Sequence, residues 1–128
     1  MKVLLDTHTF ICWDSDPAKL LARATAACLD PANTSLLSAA SVWEMVIKAA
    51  LGKLTLSLPL ADAITSQQQR NRLGVLAVEL QHVLAVQQLP ARHRDPFDRL
   101  LIAQALVEDA VLLSKDPIFA GYPITVHW

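Results

Sequence analysis

The 128-residue chain is 53% hydrophobic and 18% charged, short of the usual quarter charged, which excludes intrinsic disorder and low complexity. Lys and Arg number 11 and Asp and Glu 12, so no net positive field draws the chain to nucleic acid or a membrane, and any such binding must be local. The length suits a single domain over residues 1–128. Its sparse charge fits equally an Ala-rich helical interior or apolar surface meant for a partner.

In chain order, short apolar β-type runs predict strands at Lys2–Leu5, Ser35–Ser38, Gly74–Val78, Val111–Ser114 and Ile124–His127. Apolar residues at three- and four-residue spacings predict helices over Pro17–Leu29, Val42–Ala50, Leu60–Arg72, Leu80–Gln88 and Pro96–Glu108. Gly52 after KAAL and Gly74 after RNRL read as residues that close helices, and Gly121 as part of a turn before Pro123. Alternation of this kind implies an α/β fold: parallel strands joined by right-handed crossovers, in a three-layer sandwich with helices on both faces. Every strand-to-helix turn then falls at the C-terminal edge of the sheet, where open α/β folds bind ligands.

Cys12 and Cys28 make no disulfide framework and lack metal-ligand spacing, so they read as small buried residues in a reducing compartment. The opening MKVLLDTHTF is interrupted by Asp6 and is no signal peptide, and no run reaches transmembrane length. A cytoplasmic location without a membrane partner is expected.

Acids occupy the expected ligand edge. Asp6 ends the first strand, Glu44 opens the helix after the second, Asp116 follows VLLSK, and Asp98 lies in the first turn of the helix before that strand. Each also has a local explanation. Ser41 and Glu44 match a capping box, Asp95-Pro96 an N-cap and N1 pair with Asp98 at N3, and Asp116-Pro117 a turn. Caps have no reason to converge, whereas these acids do. At ~4 Å and an effective dielectric of ~20, each carboxylate pair costs about 4 kcal/mol, of which a helix N-terminus returns ~0.3–1 kcal/mol. The remainder calls for a hard cation such as Mg²⁺ or Mn²⁺, and oxygen-only ligands argue against zinc. Such an ion points to phosphodiester chemistry.

The segments LLDTHTFICW, SAASVWEMVIKAALGKL, HRDPFDRLLIAQAL and LLSKDPIFAGYPI resemble the PIN domain, and more narrowly the VapC-type toxins of bacterial toxin–antitoxin modules. The resemblance runs from Lys2 almost to the C-terminus. It implies a five-stranded parallel sheet of order 3-2-1-4-5 and a Mg²⁺-dependent endoribonuclease acting on RNA. It also implies a homodimer neutralised by a cognate VapB-like antitoxin, with no direct DNA binding of its own. The family's catalytic, metal-holding quartet falls on Asp6, Glu44, Asp98 and Asp116; Asp98 is preferred to Asp95 because it stands five residues before Ala103, as the family's acid does. Thr7 and Ser114 match supporting hydroxyl positions, for which ordinary strand-end hydrogen bonding is an equal explanation.

Arg92, His93, Arg94 and Arg99 surround Asp98 and Lys115 adjoins Asp116, so Arg94, Arg99 and Lys115 are candidate phosphate contacts. The alternatives are an Arg99–Asp95 pair and a solvated basic face. Lys48 and Lys53 are read as support for a helix C-terminus or as rim residues, and His8 as an orienting or core residue outside the site. Trp13, Trp43 and Trp128 are read as packing residues, with stacking of one exposed ring on a base as the alternative. Leu60 and Ile64 mark an amphipathic helix open to a second copy or to the antitoxin. Two other functions compete: a phosphatase-like hydrolase using Asp6 as nucleophile, disfavoured by His8 two residues on, and a non-catalytic protein-binding module.

Overall fold

The computed structural model describes residues 1–91 and 94–128. The elements are β1 (Lys2–Leu5), α1 (Thr7–Ser15), a 3-10 turn (Pro17–Lys19), α2 (Ala22–Leu29), β2 (Thr34–Ser38), α3 (Ala39–Ala50) and α4 (Leu60–Asn71). There follow β3 (Gly74–Leu76), α5 (Leu80–Val86), α6 (Pro96–Glu108), β4 (Val111–Leu113), a second 3-10 turn (Pro117–Gly121) and β5 (Val126–His127). Every strand pair is parallel and the order is β3-β2-β1-β4-β5, as the family resemblance implies.

Alternation along the strands divides the core in two. Val3, Leu5, Leu37 and Leu113 face a layer that includes Phe10 and Trp13 of α1, Ala24 of α2 and Met45 of α3. Leu4, Leu36 and Leu112 face the opposite layer, with Leu101, Ile102 and Ala105 of α6 and Phe119 of the second 3-10 turn. Helices on both faces give the three-layer α/β/α sandwich. The chain steps outward from β1 to β3 on one side, then crosses to β4 and β5 on the other. The order therefore reverses between β1 and β4, the switch point where such folds open a ligand crevice.

Several local expectations change. Helix α1 was not foreseen, because Thr7, Thr9 and Ile11 are β-branched and favour a strand. Burial overrides that preference: Asp6 caps the helix by accepting from the Thr9 amide at 2.7 Å, and the Thr9 hydroxyl donates to the Leu113 carbonyl at 2.9 Å. The expected helix over Pro17–Leu29 splits at Leu20 and Leu21, both extended. Helix α3 begins at Ala39 with Ser38 as N-cap, so Ser41 and Glu44 form no capping box; Ser41 lies inside the helix with a buried, unpartnered hydroxyl. Gly52 does take the left-handed conformation after α3, at φ +72°. Gly74 does not close α4, since Arg72 takes the left-handed position (φ 57°) and Gly74 starts β3 against Leu36. Leu60 and Ile64 pack inward on the first core instead of presenting a free face. Among the described residues, no helix is long and apolar enough to cross a membrane.

Candidate active site

The sheet's C-terminal edge at the switch point carries the first acid. Asp6, 7% exposed, ends β1 with both carboxylate oxygens engaged: Oδ1 accepts from the Thr9 amide and Oδ2 from the Ser114 hydroxyl at 2.5 Å. Ser114 follows β4 directly, and its Oγ also accepts from the Asp116 amide at 3.1 Å. Asp116 in turn caps the second 3-10 turn, its Oδ1 accepting from the Ile118 amide at 3.1 Å. Asp6 and Asp116 face one cavity of about 340 Å³, with His8, Lys115 and Pro117 around it.

Glu44 reaches the same edge from the neighbouring helix. It is 8% exposed; Oε1 accepts from the Thr7 hydroxyl at 2.6 Å and Oε2 pairs with Lys48 at 3.2 Å, one turn along α3. Adjacent Thr7 and Asp6 thus link Glu44 to Ser114 through two short hydrogen bonds. Asp98 lies half-buried in the first turn of α6, where Asp95 caps the helix by accepting from the Phe97 amide at 2.8 Å and the Asp98 amide at 3.3 Å. Asp95 is the cap and Asp98 the first-turn acid, as expected. The rings of Trp43 and Phe97, each next to an acid, meet edge-to-face at 5.2 Å and tie the first turn of α6 to α3.

The negative charges are compensated differently from the sequence-based expectation. Lys48, two hydroxyls and a backbone amide meet Asp6 and Glu44 in place, so their proximity does not by itself demand an ion. Among the described residues, no three His, Cys, Asp or Glu side chains are grouped closely enough to hold a metal.

The family model of the PIN domain matches residues 3–124. The chain belongs to the PIN domain family. PIN domains are generally nucleases, and PIN nucleases typically use divalent metals. A search of curated proteins by sequence finds no match. Among solved structures, the chain is similar to VapBC2 from Rickettsia felis bound to a promoter DNA fragment, with a TM-score of 0.74 and 15% identity over 99% of this chain and 98% of that one. It also resembles DNA-bound VapBC from Salmonella typhimurium (TM-score 0.69, 20% identity, 99% and 97% covered). A third likeness is to VapBC-1 from nontypeable Haemophilus influenzae (TM-score 0.65, 21% identity, 99% and 97% covered). At these identities the likeness is one of fold.

For a PIN domain the donor set is chemically apt: Asp6 at the end of β1, Glu44 within α3, Asp98 in the first turn of α6 and Asp116 after β4 offer only oxygen ligands, which suit a hard divalent cation, although among the described residues no three of them are grouped closely enough to enclose one. Around that edge the basic candidates separate. Lys115 borders the cavity with Asp6 and Asp116, and Arg94 is exposed just before α6. Arg99 ties down the chain ahead of α6 by donating to the carbonyls of Pro90 at 2.9 Å and Val86 at 3.2 Å. Arg92 and His93 lie outside the described residues.

Sequence reasoning missed three features. His8, set aside as an orienting residue, lines the Asp6 cavity, its Nε2 3.4 Å from the Cys12 sulfur. Lys48 is the counter-ion of Glu44, legible in retrospect as a Glu→Lys pair four residues apart on a helix. Trp43, expected in the core, is 62% exposed and borders the site through Phe97. Trp13 is buried as expected.

Proposed function

We propose that this PIN domain is a metal-dependent endoribonuclease of the cytoplasm, a single-domain toxin that acts as a homodimer and is held inactive by a VapB-like antitoxin. The observation that carries the reading is the Asp6–Ser114 contact at the switch point, with Asp116 on the same cavity and Glu44 one hydrogen bond from the residue after Asp6. The VapBC assemblies that share this fold support the toxin–antitoxin context and the antitoxin partner. Asp6, Glu44, Asp98 and Asp116 are the residues that would hold Mg²⁺ or Mn²⁺. Such an ion, when bound, polarises a phosphate oxygen and lowers the pKa of a coordinated water.

The chain's own residues do the positioning. The Thr9 amide and Ser114 hydroxyl fix the orientation of Asp6, and Thr7 does the same for Glu44. Lys115 supplies positive charge beside two acids that would otherwise repel a phosphodiester, and Arg94 supplies more ahead of Asp98. Arg99 acts mainly by fixing the approach to α6. Asp6 is poorly suited to nucleophilic phosphatase chemistry, because His8 stands two residues on, where a second acid would serve as acid and base.

Mapping of 5′ ends in total RNA after brief expression tests the reading. Discrete new ends with wild-type protein, absent with Asp98→Asn, are expected. Purified protein should lose cleavage in EDTA and regain it on addition of Mg²⁺ or Mn²⁺. Identical ends from wild type and Asp98→Asn, or cleavage indifferent to EDTA, would overturn it.

A further inference from the structure

A second cavity, of about 330 Å³, opens beside the acidic edge and differs from it in character. Arg23 and Ala27 of α2, Leu113 at the end of β4, and His127 and Trp128 after β5 form its walls, and no acidic side chain lines it. In a chain whose acids outnumber its Lys and Arg by 12 to 11, a hollow lined by Arg and His side chains and by no acidic one favours an anionic ligand locally. Arg23 is exposed and makes no hydrogen bond or ion pair among the described residues, so its guanidinium is available to a ligand. Trp128 is half-buried, packs on the first core and also lines the cavity.

The cavity's location links it to the site. The Ser114 amide donates to the His127 carbonyl at 2.9 Å while the Ser114 hydroxyl holds Asp6. His127 is the register partner of Leu113, and Ser114, which follows Leu113, is bonded to residues of both hollows, so the two meet through the end of β4. A strand held at the acidic edge by Lys115 would gain a second anchor from a neighbouring nucleotide seated over Arg23.

We propose that this cavity is a nucleotide subsite for single-stranded RNA, in which Trp128 stacks on an unpaired base and Arg23, aided by His127, contacts the adjoining phosphate. The proposal rests on the ribonuclease reading and adds to it a second contact point for the strand, away from the acids, where an unstacked base can reach the indole.

Binding of a fluorescein-labelled eight-nucleotide oligouridylate to the full chain, read by anisotropy in EDTA, tests it without cleavage. Arg23→Ala and Trp128→Ala should each weaken binding about tenfold or more, whereas Trp128→Phe should stay within about threefold of wild type. Arg23→Ala should also lower the salt slope by about one. Because Arg23 is exposed and unpaired, that variant remains informative should Trp128→Ala lose stability. Wild-type affinity and salt slope in Arg23→Ala, with RNA still cut by wild type, would overturn the subsite alone. Neither binding nor cleavage by wild type would overturn the ribonuclease reading along with it.

Discussion

The hydroxyl of Ser114 donates to Oδ2 of Asp6 across 2.5 Å, joining the ends of β1 and β4 where the strand order reverses. This bond and the capping bond from Thr9 leave Asp6 little freedom to turn. If Asp6 holds the metal of the proposed ribonuclease, Ser114→Ala should lower the rate of RNA cleavage about 10–100-fold, the usual effect of removing a residue that orients a ligating carboxylate. Stability, read from urea midpoints, should fall by about 1–2 kcal/mol because a buried acceptor loses its donor. Unchanged cleavage would show that the orientation of Asp6 does not matter.

Gln104, fully buried on α6, fastens three elements together. Its Oε1 accepts from the Ser38 hydroxyl at 2.5 Å, where Ser38 caps the helix bearing Glu44, and its Nε2 donates to the Ala77 carbonyl at 3.3 Å just beyond β3. Gln104→Leu keeps the volume and leaves both partners unsatisfied, so a loss of about 2–4 kcal/mol is expected in urea unfolding. Amide exchange should accelerate at the start of α3 more than in α4. Uniform acceleration would show that Gln104 serves general packing only.

Glu108 should make stability depend on acid. Its carboxyl lies below the ordinary value of 4.5, chiefly because the buried His82 Nε2 bonds it at 2.9 Å, with Lys2 at 3.1 Å adding to the effect. His82 Nδ1 accepts from the Glu79 amide at 3.0 Å, so the Nε2 hydrogen points at Glu108. A carboxyl lowered in the folded state contributes stability in full above its unfolded pKa and loses it as pH falls through the folded pKa. Glu108→Gln should thus be less stable than wild type at pH 7, with the gap closing below pH 4.5. A gap independent of pH would assign the effect to packing.

Elements with strong local signals were legible in the sequence. Helix α6 runs over Pro96–Glu108 as the Asp95-Pro96 start predicts, β1 has its predicted bounds, β2 starts one residue early, and β3, β4 and β5 are shorter than predicted by one to two residues. Helix α1 was not legible, because its residues prefer extended backbone and become helical only once Phe10 is buried and Thr9 finds the Leu113 carbonyl. The acids could be named from their places at strand ends and helix starts. How their charge is met could not: Lys48 beside Glu44 and Ser114 against Asp6 are outcomes of tertiary placement. The same holds for Trp43, whose ring lies outside the core because its side of α3 turns toward solvent and Phe97.

Asp6 and Ser114 are separated by 108 positions, and β4 is the strand that closes β1 on that side. During translation the first acid emerges long before its hydroxyl partner, so a growing polypeptide has no assembled centre until β4 has left the ribosome. On the proposed ribonuclease reading, incomplete products ending before β4 would leave RNA uncut, and an inhibitor would have until the end of synthesis to accumulate.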